Sequence, residues 1–259
     1  MKIGFAQKIN LRILRFIFLT FCTVCFTSPA RTEPIFINRI PDLTQTDVRG
    51  DLYGNGQQFC APVAVSNSIF WLAKMKQGQV ELAEKLASSS YMNTSLKNGT
   101  GTTGVLNGVD RIARELFGSY ERLEYQGWRK HPAHFSTNIK VPQLKWIQSG
   151  VSDRSSVWIN VGWYRYDRAS QEYERIGGHW VTVVGSDSDT LIIHDPSPRA
   201  GQDPAREYVR VNKMSSGTLT GNKAGLPIAA KEFYSLSGGM HLKSNAEYAI
   251  IDGAVILEL

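Results

Sequence analysis

One residue of this chain has the type and position of a nucleophile: Cys60, in the stretch GQQFCAPVAVSNSIFWL from Gly56 to Leu72. Polar loop residues precede it and a long apolar run follows it, which is typical of the start of a helix. A cysteine attacks acyl groups as the thiolate, which a helix N-terminus and a nearby imidazolium both favour. Pro62 fits this interpretation, because proline is tolerated in the first turn of a helix. Taken alone, the stretch fits a buried structural thiol equally well.

The imidazole has to come from a histidine distant in sequence. His179 follows Gly177 and Gly178 and is predicted to open the apolar strand WVTVVG, where it can face a cleft while the strand anchors it. His194 ends the next predicted strand and is the rival general base. The other histidines lie in the polar segment HPAH and in the irregular C-terminal part: His131, His134 and His241.

Asp195 is the candidate for the group that orients this imidazole. Residues 179–197 predict a strand, a turn at Ser186–Asp189 and a second strand. In such a hairpin His179 and Asp195 occupy the outer ends of two paired strands, close together in space. Strand alternation points His194 away from Asp195, so only one of the two faces the cleft. An Asp-Pro step is also ordinary turn chemistry, so Asp195 has a purely structural alternative.

The elements that hold these residues come in the order helices, then strands. Apolar periodicity predicts helices over Cys60–Lys74, Val80–Ser90, Val105–Phe117 and Pro142–Gly150. Besides the hairpin, β-branched and aromatic residues predict strands over Ser156–Asp167, Arg206–Val211 and Tyr248–Leu259. The order predicts an α+β fold, with a helical part at about 60–150 and an antiparallel β part at about 155–259.

Residues 1–30 predict a secretory signal peptide. A basic segment without acidic residues is followed by an apolar run, Phe16–Phe26, and by the small residues of Thr27–Ala30. The run is shorter than the roughly 20 apolar residues that a membrane-spanning helix needs. We therefore expect residues 31–259 to be a single exported domain, secreted or periplasmic, with no stable membrane anchor after cleavage.

Removing the predicted leader changes both the charge and the cysteine content. The formal charge falls from +6 to +2, because the leader carries four basic residues and no acidic one. The remainder lacks the basic footprint of a nucleic-acid-binding protein. Of three cysteines only Cys60 remains, which excludes an internal disulfide framework and leaves a thiol that is buried or functional. HPAH has no nearby acidic or cysteine partner, so we expect neither a metal nor another cofactor.

Three motifs together resemble the papain-like cysteine peptidases, and within them the peptidase C39-like group. They are Cys60 at a helix start after a Gln-containing loop, then GGHWVTVVG, then LIIHDPS, covering roughly Gln57–Ser197. The resemblance implies an N-terminal helical lobe packed on a C-terminal antiparallel β-sheet lobe, with the active-site cleft between them. It also implies a peptide or protein substrate, whose peptide or isopeptide-like bond is hydrolysed through a thioester. Cys60 would be the nucleophile and His179 the base and acid, and Asp195 would orient His179.

The chain departs from this pattern at two positions. Papain-like enzymes usually carry an oxyanion-hole glutamine six residues before the cysteine, and here that residue is Gly54. We expect Gln57 to replace it, with Gln58 and Asn55 as open alternatives. The second departure is Ala61, where C39-like proteins commonly have glycine after the cysteine.

Two other functions fit some of the same sequence features. A cell-wall hydrolase of the NlpC/P60-like kind also combines a cysteine at a helix start with a histidine on a strand. A catalytically inactive papain-like module that captures peptides in its cleft would account for the displaced oxyanion glutamine. The sequence leaves the substrate, the cleaved bond and the oligomeric state open.

Overall fold

The computed structural model describes residues 34–46, 52–197, 207–221 and 226–259, which belong to one unit, Thr32–Leu259. The predicted signal peptide lies outside the described residues. The helices are α1 (Cys60–Leu72), α2 (Gln79–Ala87), α3 (Thr102–Phe117) and α4 (Leu144–Ser149). The strands are β1 (Ile35–Phe36), β2 (Arg122–Gly127), β3 (Ser155–Asp167), β4 (Glu172–Asp187), β5 (Thr190–His194), β6 (Glu207–Lys213), β7 (Thr218–Thr220), β8 (Ile228–Ala229), β9 (Tyr234–Ser237) and β10 (Tyr248–Glu258). The predicted α+β class is confirmed.

Six of these strands pair in a closed ring. The order around it is β3, β4, β5, β6, β9 and β10, with β10 pairing back onto β3, and each of these pairings is antiparallel. Alternate residues along the strands fill one shared apolar core, including Val157, Val181, Ile193, Val209 and Ile251. Helix α4 contributes Ile147 to the same core. The ring therefore holds its strand ends in fixed positions.

Helices α1, α2 and α3 pack on the other face of β3 and β4. Trp158 and Trp180 project from these strands into a core with residues of the three helices. The carbonyl of Ala64 in α1 accepts hydrogen bonds from Trp158 Nε1 at 3.2 Å and from Thr182 Oγ1 at 2.6 Å. Two side chains of the sheet thus fix α1, and with it the position of its first residue, Cys60.

The sheet differs from the sequence prediction in two places. β2 lies between α3 and α4, inside the predicted helical part, and pairs with β10. β4 begins at Glu172, so the prediction that His179 opens a strand is wrong: Gly177 and Gly178 lie within it. A register shift between Trp163 and Tyr164 absorbs one extra residue of β4, which lets pairing continue past the glycines. No helix among the described residues combines the length and apolarity needed to cross a bilayer.

Candidate active site

Cys60 is the first residue of α1. It follows a turn at Tyr53–Gly56, is partly buried, and has Phe59 at the position before the helix. The first N–H groups of a helix have no partner within it, and they carry the positive end of the helix dipole. The sulfur therefore lies where a negative charge is stabilised. This is the position that the sequence predicts for it.

His179 and Asp195 meet at one end of the strand ring. His194 pairs with Thr182, so Asp195, one residue further, is a diagonal neighbour of His179 on the same face of the sheet. His179 Nε2 lies 2.5 Å from Asp195 Oδ1, and both side chains are buried. The contact predicted from the hairpin is thus present, although His179 lies inside its strand and not at its start.

The Cys60 side chain hydrogen-bonds to His179. Because Asp195 occupies Nε2, the ring nitrogen that remains for the sulfur is Nδ1. The imidazole therefore bridges a thiol and a carboxylate, one at each nitrogen. The structure thus brings together Cys60, His179 and Asp195, which the sequence analysis assigns to one site.

The ionisation of this pair follows from its contacts. Burial alone lowers the pKa of His179, but the charge and hydrogen bond of Asp195, with a contribution from Cys60, raise it to about 10. Burial alone raises the pKa of Asp195, but the charge and hydrogen bond of His179 outweigh this, so the pKa is lowered. The favoured state at neutral pH is an imidazolium beside a carboxylate.

Backbone groups hold the carboxylate of Asp195 in place. The Ser197 N–H donates to Oδ1 at 2.9 Å, and the His241 N–H donates to Oδ2 at 3.0 Å. The Asp195 N–H itself donates to Glu207 Oε2 at 3.1 Å. Burial raises the pKa of Glu207 to about 9, together with the charges of Asp195 and Asp42. The sequence analysis does not predict that His241 or Glu207 contacts Asp195, because neither has a local pattern that connects it with Asp195.

An aromatic ring covers the imidazole. Trp163 stacks on His179 with ring centroids 5.2 Å apart and planes 15° apart. Its indole Nε1 donates to the His241 carbonyl at 3.4 Å, which fixes the ring in this orientation. Trp163 keeps water from one face of the His179–Asp195 pair.

The remaining histidines lie elsewhere. His194 Nδ1 lies 3.1 Å from the Pro41 carbonyl, so it points away from Asp195 as strand alternation predicts. His131 Nδ1 contacts the Arg129 carbonyl at 2.6 Å. His134 packs against Phe135. Among the residues that the structure describes, no group of three or more His, Cys, Asp or Glu side chains is arranged to hold a metal ion.

The loop before Cys60 is tied to the loop after Asp195 by Gln45. Its side-chain amide donates to the carbonyls of Gly56 and Gln57 at 3.1 and 2.9 Å, and its own N–H donates to the Pro196 carbonyl at 2.8 Å. Gln45 is buried, and sequence reasoning missed it because it lies in an arm rich in turn-forming residues. One residue thus links the loop before Cys60 to the loop after Asp195.

The three candidates for the oxyanion hole lie in this loop. Asn55 and Gln57 are exposed and Gln58 is partly buried. The side-chain oxygen of Gln58 lies 3.3 Å from where a Cβ on Gly99 would be, so Gln58 faces the segment that leads into α3. The backbone of Gln57 is fixed by Gln45, while its side chain faces solvent. The assignment of Gln57 stays a prediction.

Comparison with known proteins adds a distant likeness. No protein-family model and no curated protein matches the chain. A crystal structure of a Bacillus anthracis protein, provisionally described as a C39-like peptidase, resembles it over 88% of this chain and 98% of that one. The sequence identity is 11% and the TM-score is 0.41. At that distance the functional argument rests on the geometry of Cys60, His179 and Asp195.

Proposed function

We propose that this protein is an exported cysteine peptidase of papain-like, C39-like architecture, with Cys60, His179 and Asp195 as its catalytic triad. One observation carries the proposal: the buried imidazole of His179 contacts the Cys60 thiol and also lies 2.5 Å from the Asp195 carboxylate. A structural thiol needs neither partner. We place the substrate cleft at the N-terminus of α1, beside the contact between His179 and Asp195.

The acylation step uses Cys60 and His179. The Cys60 thiolate attacks the carbonyl carbon of a peptide or isopeptide-like bond, and a tetrahedral oxyanion forms. His179 holds the proton as imidazolium and donates it to the leaving amine when the C–N bond breaks. A thioester to Cys60 and a free amine result.

The deacylation step reverses the role of the imidazole. Neutral His179 takes a proton from water, and the resulting hydroxide equivalent attacks the thioester carbonyl. The C–S bond then breaks and the acid product leaves. The proton taken from water stays on His179, so the site again holds an imidazolium beside the thiolate. Asp195 fixes the ring orientation in both steps and stabilises the charged form of His179.

The oxyanion is held at the start of α1. The backbone N–H of Cys60 is one donor, since the first N–H groups of a helix have no partner within it. A side-chain amide is the second donor, and we assign it to Gln57. The same helix end that favours the thiolate therefore also stabilises the tetrahedral intermediate.

The test is the rate at which iodoacetamide alkylates Cys60 between pH 4 and 10, in the wild type and in His179→Ala. The full chain also contains Cys22 and Cys25, so mass spectrometry is used to identify which cysteine is modified. The proposal predicts alkylation that persists below pH 7 in the wild type and declines there in His179→Ala. His134→Ala, at an exposed histidine outside the site, is the matched control.

A single titration near the free-thiol pKa of about 8.5, identical in both proteins, would overturn the proposal. Screening with peptide and peptidoglycan substrates follows, with Cys60→Ala as the inactive control. Release of peptidoglycan fragments with protein substrates left intact would move the assignment to a cell-wall hydrolase.

A further inference from the structure

A buried ion pair joins β4 to β10 close to His179. Arg175 Nε donates to Asp252 Oδ2 at 2.6 Å, and the side chains of Arg175 and Asp252 are 15% and 0% exposed. Trp128 Nε1 donates to Asp252 Oδ1 at 3.1 Å, and the Tyr164 hydroxyl donates to the same oxygen. Taking two charges out of water is costly, and a buried ion pair often adds no stability over uncharged residues of similar size. Stability alone therefore does not explain the pair.

Asp252 is the additional residue of a bulge in β10. Consecutive pairings of β10 with Val161 and Asn160 of β3 leave one extra residue on β10, and that residue is Asp252. Val161 pairs on its other side with His179. A bulge bends its strand and changes the direction of nearby side chains. One strand, β3, thus separates this bulge from His179.

Arg175 directly precedes a second bulge, in β4. Arg175 pairs with Tyr164 and Gly177 pairs with Trp163, so Ile176 is the additional residue here. Both β4 and β10 pair with β3, on opposite sides of it. The ion pair therefore connects two bulged strands across the strand that lies between them.

Two facing glycines provide the space for the ion pair. Gly162 of β3 pairs with Gly178 of β4, and Gly178 directly precedes His179. A Cβ on Gly178 would overlap the guanidinium of Arg175, and a Cβ on Gly162 would lie 2.6 Å from Asp252 Oδ2. The charged groups thus occupy the space of the two missing side chains. Glycine has the widest choice of backbone conformations, so contacts from neighbouring groups have to fix the backbone here.

We propose that Arg175 and Asp252 are positioning residues for His179. The ion pair fixes the backbone at Gly178, and with it the direction in which the next side chain points. This inference rests on the proposed peptidase function, in which the imidazole has to contact a thiol and a carboxylate at once. Displacing a catalytic group by about 1 Å can cost about 10²-fold in rate, so a brace at the neighbouring residue has a large effect.

The test replaces the ion pair by a neutral pair, in the double variant Arg175→Gln with Asp252→Asn. The two side-chain amides can hydrogen-bond to each other, and an amide oxygen can still accept from Trp128 and Tyr164. Removing both charges together leaves the net charge of the region unchanged, so we expect the midpoint of thermal unfolding to stay within about 5 °C of the wild type. Glutamine is shorter than arginine and leaves the space at Gly178 empty.

We expect the pKa of His179 to fall from about 10 by roughly one unit in this variant, because the imidazolium loses part of its contact with Asp195. NMR titration of the ring measures this change. The rate at which iodoacetamide alkylates Cys60 at pH 6 should fall by about tenfold, since the imidazole no longer aligns with the sulfur. A pair that only stabilises the fold would leave both quantities unchanged in a folded variant.

Gly178→Ala displaces the guanidinium without removing the ion pair, because the new Cβ would take its place. We expect the same two changes, and no further change when it is combined with the double variant, which lacks the guanidinium. Gly101→Ala is the matched control, since Gly101 is exposed like Gly178 and a Cβ there would meet no atom within 4 Å. Arg122→Gln with Glu258→Gln removes another ion pair of β10 and should also keep the wild-type values.

An unchanged pKa and alkylation rate in the folded double variant would overturn the proposal, as would equal changes in the controls. If the double variant does not fold, Gly178→Ala decides, and wild-type values there would overturn the proposal equally. Failure of the proposed peptidase function is visible separately. It appears as alkylation of Cys60 below pH 7 at the same rate in wild type and His179→Ala, whatever the ion pair does to the pKa of His179.

Discussion

Trp163 stacks nearly parallel on the imidazole of His179, at 5.2 Å between ring centroids, and shields the contact of that imidazole with Asp195. In a site with less water, the attraction between an imidazolium and a carboxylate is stronger. The stack therefore helps to maintain the raised pKa of His179.

We expect Trp163→Leu to move the pKa of His179 from about 10 back towards 6.5, by roughly one unit. Water at the opened face weakens both the attraction to Asp195 and the effect of burial, and the net upward shift shrinks with them. NMR titration of the His179 ring measures the change. Trp163→Phe keeps an aromatic ring and should stay near the wild type, whereas an unchanged pKa in the leucine variant would contradict the role of the stack.

Asp195→Asn separates the charge of this residue from its hydrogen bonding. The amide oxygen still accepts from His179 Nε2, but the negative charge is lost, so the pKa of His179 should fall by about one to three units. The same ring titration checks this result. The rate of Cys60 alkylation below pH 7 should persist, because the imidazolium still forms there. If the pKa of His179 stays near 10 without the charge of Asp195, the attributed cause is wrong.

The positions of Cys60, His179 and Asp195 in the fold are predictable from sequence because each depends on local signals. Cys60 lies at a change from polar loop to apolar helix, and the short turn of the β4–β5 hairpin sets the relation of His179 to Asp195. The distance between two residues of a hairpin depends on the register of its strands. The contact between His179 and Asp195 is therefore predictable even though β4 begins earlier than predicted.

The supporting residues are not predictable in this way. Gln45 reaches Asp195 through Pro196, and Trp163 reaches His179 across a strand pair that contains a register shift. His241 touches Asp195 only because a long C-terminal segment folds back to it. Such contacts are set by how distant segments close on each other, and no periodicity in a single sequence encodes them.

Gln57→Ala tests the assignment of the oxyanion hole. If its amide stabilises the tetrahedral intermediate, kcat for a peptide substrate should fall by about 10²–10³-fold with little change in KM. Gln58→Ala and Asn55→Ala are the matched comparisons in the same loop. A large loss of kcat in either of those, with Gln57→Ala near the wild type, would transfer the role to that residue.

Gly56→Ala should destabilise the protein through its contact with Gln45. Gly56 has a φ of +68°, and a Cβ there would overlap the backbone carbonyl of Gln45. Gly118 has a similar φ of +77° with no atom within 4 Å, so Gly118→Ala is a control for backbone strain alone. We expect the free energy of unfolding to fall by about 3 kcal/mol or more at Gly56 and by about 1–2 kcal/mol at Gly118. Denaturant unfolding measures both, and equal losses would show that the contact with Gln45 has no effect.

Glu207 should make the protein less stable as the pH rises. Its pKa is about 9 in the folded state and about 4.5 when unfolded, so between these values the folded protein binds the extra proton. The free energy of unfolding therefore declines through this window, and His179 adds a decline of the same sign between about 6.5 and 10.

Glu207→Gln mimics the protonated side chain and can still accept the Asp195 N–H, so it should remove the decline that Glu207 causes. We expect a gain of about 1 kcal/mol or more at pH 8 and little change at pH 4, measured by denaturant unfolding across pH. Glu232→Gln, at a half-exposed residue paired with Lys213, is the control and should change stability by less than about 1 kcal/mol. Parallel stability curves for wild type and Glu207→Gln would mean that Glu207 is charged in the folded protein. The carboxylate of Asp195 would then lie beside a second negative charge, and the fixed orientation of His179 would need another explanation.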